Sequence, residues 1–497
     1  MKLTAYWPYL LALLLGALTV AAFAPLQLFW LPLLTLSPLF YLWSRSPGWR
    51  ASALLGWSFG LGLFGAGVSW VYISLQVYGG MPVPVAALAT ALFAAFLALF
   101  PALVGVLQQL FATPGQRLLA LPALWVLVEW LRGWIFTGFP WLALGYSQVP
   151  FSPLAGYAPV LGVFGVSLAL LAGASLLCRW PAARWSSLLG VLLLWGGGWA
   201  LQQVQWTQPQ GAPFTVSLTQ GNIEQGLKWD PQRLYNSLDS YAGLVRQSSG
   251  RLIVLPETAL PMFYRDVPPE YVAFLAQRAK KNAGDLLVGL ADSDPDGGRY
   301  YNSIVSLGSA PPQVYRKAHL VPFGEYVALP WLFQPLLQYL HIPMSDFSSG
   351  GVSQKPLQVA GQHVAVSICY EDVFGEEVIR QLPQATVLVN VSDDTWFGDS
   401  LAPEQHVQIA QTRALETGRY LLRSTNTGVT AIIDQRGRVL DRLPTFVPGV
   451  LNGTAQGYGG STPYIWWGNV AVILLAVLSL LPAVWGVVRE RRQSSGA

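Results

Sequence analysis

The sequence is poor in charged residues and in cysteine, and these shortages narrow the classes of protein to consider. Charged residues make up 11% of its 497 positions, whereas soluble domains carry roughly 25%. Only eight charged residues precede residue 205, and the net charge of +4 comes from the flanks of apolar segments. The charge therefore indicates no nucleic-acid partner. The few histidines show no metal-ligand spacing: His319, His341, His363 and His406.

Long apolar stretches dominate the first 204 residues. Each approaches the roughly 20 residues with which a helix spans a bilayer. Residues 5–23 lack a clear small-residue cleavage site and are followed at once by another apolar stretch, so we interpret them as a retained helix and not a signal peptide. The sequence thus predicts eight transmembrane helices, near residues 5–23, 26–44, 52–74, 84–109, 118–136, 157–177, 185–203 and 464–487.

The basic residues that flank these stretches predict their orientation. With a cytoplasmic N-terminus, nearly all of them obey the positive-inside rule: Lys2, Arg45, Arg50, Arg117, Arg179, Arg184, Arg489, Arg491 and Arg492. Arg132 is the exception. It follows Glu129 by three positions, and such an intramembrane pair either fixes helix packing or holds a lipid headgroup.

This topology predicts four segments. Residues 1–204 form a seven-helix transmembrane domain, 212–453 an extracytoplasmic domain, 464–487 the eighth helix and 488–497 a cytoplasmic tail. The only two cysteines, Cys178 and Cys369, then lie on opposite sides of the membrane. An internal disulfide between them is therefore excluded.

The extracytoplasmic segment alternates between strand and helix patterns. Strand patterns lie near residues 214–218, 252–255, 286–290, 303–307, 364–368 and 386–389, and helical patterns near 231–247, 269–282, 373–381 and 403–417. A hairpin is predicted over 429–440. The alternation predicts an α/β domain that is large enough to have its own core.

Three strand ends in this domain supply a carboxylate, an amine and a thiol. Glu257 and Cys369 each follow a predicted strand, and Lys317 ends a further short strand predicted over 313–317. Ligands in α/β folds commonly bind at such ends. A carboxylate can take the proton of a thiol, and an ammonium can stabilise an oxyanion. We also expect a helix N-terminus after Cys369 to favour its thiolate. Taken singly, each residue has an ordinary alternative: a solvated glutamate, a surface lysine and a core cysteine.

The motifs around these residues resemble known families. The carboxylate, amine and thiol segments occur in the order that is typical of the nitrilase, or carbon–nitrogen hydrolase, superfamily. Motifs of the apolar part narrow the resemblance to the apolipoprotein N-acyltransferase family, and it covers nearly the whole chain. The motifs are Leu255–Thr258, Tyr315–Glu325, Ile368–Glu371, Val128–Trp134, Thr137–Trp141, Gln220–Ile223 and Lys228–Asp230.

The resemblance implies a fold and a reaction. The fold is a polytopic α-helical membrane protein with a four-layer αββα sandwich in the periplasm, anchored in a bacterial inner membrane. Glu257 is the general base, Lys317 stabilises the oxyanion and Cys369 is the nucleophile. Cys369 takes an acyl chain from a phospholipid, such as phosphatidylethanolamine, and passes it to the α-amine of a diacylated apolipoprotein. No cofactor and no metal is implied, and we expect a monomer.

The resemblance also implies supporting residues. Glu325 positions Lys317 or the incoming amine, and Glu371 orients donor or acceptor groups. Tyr370 lines the pocket, Trp229 lies near the substrate entrance and Asn302 donates a hydrogen bond within the site. Independently, the apolar run 329–340 is unusual for an extracytoplasmic loop, so it predicts either a mobile arm that dips into the membrane or a helix packed in the domain. The pair Asp393 and Asp394 is expected in a loop beside the pocket.

Two other functions are compatible with the same residues. One is a membrane-tethered amidase or nitrilase that hydrolyses its thioester with water. The other is a transporter or receptor with a degenerate nitrilase-like domain, against which the presence of Glu257, Lys317 and Cys369 argues. The number of predicted helices exceeds what an anchor needs and favours acyl transfer from a lipid.

Overall fold

The computed structural model describes residues 6–224, 234–327, 331 and 346–495. The chain divides into two compact units. The first comprises Met1–Tyr72, Val83–Gln205 and Trp466–Ala497, and the second comprises Ile73–Pro82 and Trp206–Ile465. The segment Ile73–Pro82 thus belongs to the second unit, although the sequence pattern joins it to a transmembrane stretch.

The helices before residue 205 consist mostly of apolar residues. The start of the seventh is fixed by a capping box, in which Thr113 Oγ1 accepts from Gln116 N and the Gln116 side chain accepts from Thr113 N. The helices are α1 Trp7–Thr19, α2 Leu31–Ser44, α3 Trp49–Gly67, α4 Val71–Ile73, α5 Val83–Leu97, α6 Leu99–Leu107, α7 Pro114–Arg132, α8 Ala158–Cys178 and α9 Trp180–Gln202.

Small residues let these helices approach closely. A Cβ atom on Gly16 of α1 would lie 2.0 Å from the Phe59 carbonyl oxygen of α3, and one on Gly62 of α3 would lie 2.0 Å from that of Leu13. These two glycines therefore allow the backbones of α1 and α3 to approach closely. Such small residues are expected where helices pack in lipid without a hydrophobic driving force. A larger side chain at either glycine would separate the helices.

Three helical stretches of the described residues are long and apolar enough to cross a membrane: Val83–Leu110, Pro153–Cys178 and Val470–Arg489. Trp49–Gly67 and Val71–Tyr78 meet the requirement only together, with a bend of 59° between them. Trp7–Ala22 and Leu31–Ser44 are apolar but shorter. The predicted count of eight transmembrane helices is therefore not confirmed, because breaks and bends divide apolar stretches that the sequence presents as continuous.

Glu129 and Arg132 of α7 are both buried and bind the backbone that follows the helix. Arg132 Nη1 donates to the carbonyl oxygens of Phe139 at 2.5 Å and Trp141 at 2.7 Å. Glu129 Oε1 accepts from Leu144 N at 2.9 Å. These contacts fix the loop after α7 and support the packing interpretation of the pair over lipid-headgroup binding.

The second unit contains the predicted alternation of strands and helices. Its strands are β1 Thr207–Pro209, β2 Phe214–Gln220, β3 Leu252–Val254, β4 Leu260–Phe263, β5 Asp285–Ser293, β6 Tyr300–Gly308, β7 Val314–Arg316, β8 Leu357–Val359, β9 Gln362–Ile368, β10 Val387–Ser392, β11 Tyr420–Thr425, β12 Ala431–Ile433, β13 Val439–Arg442, β14 Gly449–Ala455 and β15 Tyr458–Gly460. Its helices are α10 Leu234–Gln247, α11 Pro269–Lys281, α12 Gly375–Val378 and α13 Ala402–Thr417; the remaining helices of the chain are α14 Pro463–Trp467, α15 Val470–Ser479 and α16 Leu481–Ser495.

Two large sheets form the centre of this unit. One has the order β14-β2-β3-β5-β6-β7, with β4 beside β5, and the other has the order β13-β12-β11-β10-β9-β8. Strands β2, β3 and β5 are parallel, as are β9, β10 and β11. The parallel strands are buried along most of their length, as expected for strands that are covered on both faces. A small separate sheet pairs β1 with β15.

The apolar cores define four layers. One core lies between the sheets and joins residues such as Leu218 and Val254 to Val366 and Val389. A second joins helices α10 and α11 to the outer face of the β2–β3–β5 sheet. A third joins α13 to the outer face of the β9–β10–β11 sheet. The order helix, sheet, sheet, helix agrees with the predicted αββα sandwich.

Candidate active site

Glu257, Lys317 and Cys369 lie at one edge of the sandwich, each at or shortly after the end of a strand of the central sheets. Glu257 follows β3, Lys317 follows β7 and Cys369 follows β9. A glycine helps to place the Glu257 loop, because a Cβ on Gly289 of β5 would lie only 2.3 Å from the Pro256 carbonyl oxygen. The structure thus brings the three predicted residues together from three separate parts of the chain.

Lys317 is held between two carboxylates. Its Nζ lies 2.9 Å from Glu325 Oε1 and 3.4 Å from Glu257 Oε1, and its side chain is 1% exposed. Burial alone would lower the pKa of Lys317, but the charges of Glu325 and then Glu257 outweigh burial and raise it. Lys317 is therefore a fixed ammonium, which can stabilise negative charge but cannot act as a base.

Hydrogen bonds orient both oxygens of Glu257. Asn302 Nδ2 donates to Glu257 Oε1 at 2.7 Å, and the backbone N–H of Asp393 donates to Oε2 at 2.8 Å. The same Asn302 amide donates to Glu325 Oε1 at 2.9 Å. One amide therefore joins two carboxylates that also share the ammonium of Lys317, which agrees with the hydrogen bond expected of Asn302.

The backbone of Cys369 is strained. Its φ is +53°, a left-handed conformation that costs a non-glycine residue about 1–2 kcal/mol. The residue comes directly after β9 and begins the 3₁₀ turn Cys369–Val373. Asn390 Nδ2 of the neighbouring strand donates to the Cys369 carbonyl oxygen at 3.2 Å. Such a turn presents a side chain at the sheet edge, where a nucleophile needs to be.

The thiol of Cys369 is not pre-ionised. Burial and the charge of Glu257 raise its pKa well above the ordinary value, although Lys317 and a hydrogen bond from Ser392 oppose them. The helix expected within a few residues of Cys369 is present as the five-residue 3₁₀ turn that begins at Cys369 and as α12 from Gly375, but the raised pKa of the thiol does not agree with the expected preference for the thiolate. A thiol in this state would need a base before it could attack a substrate, and the carboxylate of Glu257 is close enough for its charge to raise the pKa of the thiol.

Glu371 is buried and binds the protein through both oxygens. Oε1 accepts from the backbone N–H groups of Ala318 at 2.6 Å and His319 at 3.1 Å, and Oε2 accepts from that of Ile368 at 2.7 Å. The hydroxyl of Tyr315 donates to both oxygens. Glu371 thus ties the backbone after Lys317 to the backbone before Cys369, a role that the sequence did not suggest.

Burial raises the pKa of Glu371 to about 7, although backbone hydrogen bonds and Lys317 oppose the shift. Tyr370 lies between the nucleophile and Glu371 in the sequence. Its ring contacts Phe374, with centroids 5.2 Å apart, and His319, with centroids 6.1 Å apart. His319 in turn stacks on Phe374 at 3.8 Å, so Tyr370 belongs to a small aromatic group beside the nucleophile.

Some of the predicted residues lie outside the part of the chain that the structure describes. Trp229 and the run 329–340, apart from Trp331, fall outside the described residues. Asp393 lies between β10 and the following 3₁₀ turn and donates its backbone N–H to Glu257, a contact that no side-chain pattern indicates. Where the structure describes the chain, no group of three or more histidine, cysteine and acidic side chains is arranged to hold a metal ion.

Comparisons with known proteins identify both parts of the chain. Residues 15–176 match the model of the apolipoprotein N-acyltransferase N-terminal domain, and residues 215–464 match that of the carbon-nitrogen hydrolase family. Curated proteins named apolipoprotein N-acyltransferase match over nearly the full length. That of Nitrosomonas europaea is 52% identical and covers 98% of this chain and 99% of its own. That of Methylococcus capsulatus is 46% identical, with 98% and 97% covered. The chain therefore belongs to the apolipoprotein N-acyltransferase family.

Proposed function

We propose that this protein is an apolipoprotein N-acyltransferase that works through a thioester on Cys369. The acyl donor is a membrane phospholipid, for which phosphatidylethanolamine is our candidate. The acceptor is the α-amine of the S-diacylglyceryl cysteine at the N-terminus of an apolipoprotein. The product is a triacylated lipoprotein. Family membership supports the reaction, and the geometry around Cys369 supports the route.

In the first step, Glu257 takes the proton of the Cys369 thiol while the sulfur attacks the ester carbonyl carbon of the lipid. The carbonyl oxygen becomes an oxyanion, which the ammonium of Lys317 stabilises. When the tetrahedral intermediate collapses, the C–O ester bond breaks and the lysophospholipid alkoxide receives the proton from Glu257. The acyl chain is then held on sulfur.

In the second step, the neutral α-amine of the acceptor attacks the thioester carbon. Glu257 takes a proton from the attacking nitrogen, and Lys317 again stabilises the oxyanion. The C–S bond breaks, an amide forms and the proton on Glu257 returns to the sulfur of Cys369. Both steps use the same groups, and neither requires a cofactor or a metal.

One observation carries this proposal: a protonated thiol and a fixed ammonium lie beside the same carboxylate. Burial and Glu257 raise the pKa of Cys369, and Glu325 and Glu257 raise that of Lys317 against burial. Lys317 cannot accept the proton, so Glu257 is left as the base. We propose that Asn302 and Glu325 hold Glu257 and Lys317 in place, that Glu371 fixes the two catalytic loops, and that Tyr370 and Trp229 contact substrates.

We further propose the topology of the chain in the membrane. The distribution of arginine and lysine supports cytoplasmic termini and a catalytic unit in the periplasm of a bacterial inner membrane. Eight spans follow if the broken and shorter apolar helices also cross the bilayer. Such a body can admit lipid substrates laterally, and we propose that the enzyme acts as a monomer.

Intact mass spectrometry tests the thioester directly. The purified chain is incubated with phosphatidylethanolamine of one defined acyl chain, and the mass gain of that acyl group is sought. Cys369→Ala should abolish the gain, whereas Cys178→Ala should keep it, because the Cys178 thiol lies on α8 and donates to the Ser37 carbonyl oxygen. Absence of a Cys369-dependent adduct would refute the mechanism. Release of the adduct by water as fast as by a diacylated lipopeptide would favour the hydrolase.

A further inference from the structure

Behind the nucleophile, four buried ionisable side chains form a closed ring of ion pairs. His406 Nε2 lies 2.9 Å from Asp372 Oδ1, and His406 Nδ1 lies 3.2 Å from Asp394 Oδ1. Arg423 Nη2 lies 2.9 Å from Asp394 Oδ2, and Arg423 Nη1 lies 3.4 Å from Asp372 Oδ2. All four side chains are at most 1% exposed. None of these four residues has a role in the proposed mechanism.

The ring joins the turn that begins at Cys369 to the turn after β10 that binds Glu257. Asp372 belongs to the 3₁₀ turn that begins at Cys369. Asp394 begins the 3₁₀ turn after β10, and the residue before it, Asp393, donates its backbone N–H to Glu257. His406 of α13 and Arg423 of β11 therefore bind both turns at once.

The geometry of His406, with a carboxylate oxygen beside each ring nitrogen, favours a doubly protonated ring. A neutral imidazole has one N–H, so one of its nitrogens would direct a lone pair at a carboxylate oxygen. The imidazolium donates to both Asp372 and Asp394. It also balances the charge, because two carboxylates then face one guanidinium and one imidazolium. Burial and Arg423 lower the pKa of His406, but Asp372 and Asp394 outweigh them and raise it above the ordinary value.

We propose that His406, as an imidazolium, is a positioning residue that holds the Cys369 turn and the Glu257-binding turn in their reactive arrangement. The proposal rests on the proposed function and extends it to a part of the fold that does not touch substrate. The groups that face His406 are Asp372, Asp394 and Arg423, each from a different element. Loss of its proton therefore weakens one of the two carboxylate contacts and leaves excess negative charge near Cys369.

The sign of the pH dependence follows from the raised pKa. The contribution of His406 is complete below its unfolded pKa and is lost as the pH rises through its folded pKa. The rate of acyl-enzyme formation should therefore decline on the alkaline side. Thiol ionisation would change the rate in the opposite direction, since more thiolate forms as the pH rises.

Asp372→Asn isolates this effect because an amide fits a neutral His406. The new Nδ2 can donate to His406 Nε2 while its oxygen still accepts from Arg423, and the neutral ring still donates from Nδ1 to Asp394. The charges of Asp394 and Arg423 then balance without an imidazolium. The variant should therefore lack the alkaline decline of the wild type.

The experiment measures the rate of the Cys369 acyl adduct from phosphatidylethanolamine between pH 6 and pH 9, with the full chain in detergent. His406→Gln should lower the maximal rate per folded molecule by on the order of 10- to 100-fold, with little change in the KM for lipid, because misplaced reacting groups reduce the rate of the step itself. His363→Gln is the matched control, since His363 is exposed on the same domain and should leave the rate within twofold.

Each outcome decides the proposal. A wild-type rate in His406→Gln would overturn it. So would an identical decline of the rate at alkaline pH in the wild type and in Asp372→Asn. If His406→Gln does not fold, the comparison of the wild type with Asp372→Asn alone decides. A wild-type protein that forms no adduct would instead refute the proposed function, so the two failures are distinguishable.

Discussion

Replacing Glu371 by glutamine should weaken two opposite effects of pH on the second unit, which contains Cys369: a loss of stability and a gain of activity as the pH rises. The carboxylate accepts three backbone N–H groups, those of Ala318 and His319 on one oxygen and that of Ile368 on the other. A glutamine keeps only one oxygen. Its NH₂ group must then face at least one buried N–H donor, which is left unsatisfied at a cost of about 1–3 kcal/mol.

The magnitude of the pH effect follows from the pKa of Glu371. Burial raises that pKa from 4.5 to about 7, and each unit corresponds to about 1.4 kcal/mol, or about 3 kcal/mol in all. Between these two values the folded state binds more protons than the unfolded state, so stability falls as the pH rises. For a domain of this size, about 3 kcal/mol shifts the melting temperature by about 6–12 °C.

Activity should change in the opposite direction. Only the ionised carboxylate can accept from all its backbone donors, so the acylation rate of the wild type should fall as the pH drops through about 7, while stability rises. In Glu371→Gln both trends should be weaker, and the rate should stay low because the Ile368 backbone before the nucleophile loses its acceptor. Glu376→Gln is the matched control, since Glu376 is exposed in the same segment.

The assay combines thermal melting in detergent with acyl-adduct formation, each from pH 5 to pH 8. The reasoning is refuted if the melting temperatures of Glu371→Gln and the wild type depend on pH to the same extent. It is also refuted if Glu371→Gln acylates as fast as the wild type at pH 8, because the backbone contacts would then not be needed for the chemistry.

Three further predictions concern the same site and its access. Lys317→Gln removes the ammonium between the buried carboxylate of Glu257 and the partly buried one of Glu325. Acyl-adduct formation should fall by on the order of 10²–10³-fold and the melting temperature should also drop; a variant with the wild-type rate would exclude Lys317 as the oxyanion partner. Asn302→Asp places a third carboxylate between Glu257 and Glu325, which should slow acylation far more than Asn302→Ser does if charge repulsion matters. Replacing Leu336 and Leu337 together by serine should slow the use of phospholipid but spare a small soluble ester, whereas equal loss on both substrates would count against the arm.

The sequence predicted the parts of the site that lie at strand ends. Glu257 and Cys369 each follow an apolar strand pattern, Lys317 ends a short predicted strand, and the strands appear near the predicted positions. Their convergence depends on strands of two packed sheets, β3 and β7 in one and β9 in the other, that end at the same edge of the sandwich. Family motifs then identified which of the many strand-end residues to select.

The contacts made by buried polar groups could not be predicted in this way. Helix α13 buries polar residues, among them Gln405, His406 and Arg413, so its sequence has no clear apolar face and gives no sign of what it binds. Arg423 offered a signal, because a charged residue within the apolar strand β11 needs a buried partner. The partners, Asp372 and Asp394, come from other elements and depend on packing between helix and sheet.

In the apolar part before residue 205, the sequence predicted the apolar stretches but not the breaks in their helices. Apolar length indicates that a stretch is compatible with a bilayer, but it does not reveal where the backbone breaks. The stretch near residues 52–74 contains α3, a bend of 59° and a second helix, and the contact of Ser74 Oγ with the Trp396 carbonyl oxygen assigns its end to the catalytic unit. Hydropathy alone cannot distinguish such a segment from a straight span.

The protonated state of Cys369 also bears on the compartment that we propose for it. A thiolate is the form that reacts with oxidants and attacks disulfides, so a low-pKa cysteine would be vulnerable to oxidation in an oxidising periplasm. Burial and Glu257 instead raise the pKa of the thiol, which keeps it in its less reactive form between turnovers. In the proposed mechanism the proton leaves only during attack on a bound acyl group, because Asn302 and the backbone of Asp393 hold Glu257 beside the thiol. If this mechanism holds, the same arrangement protects the resting thiol and makes it reactive when a lipid ester is bound.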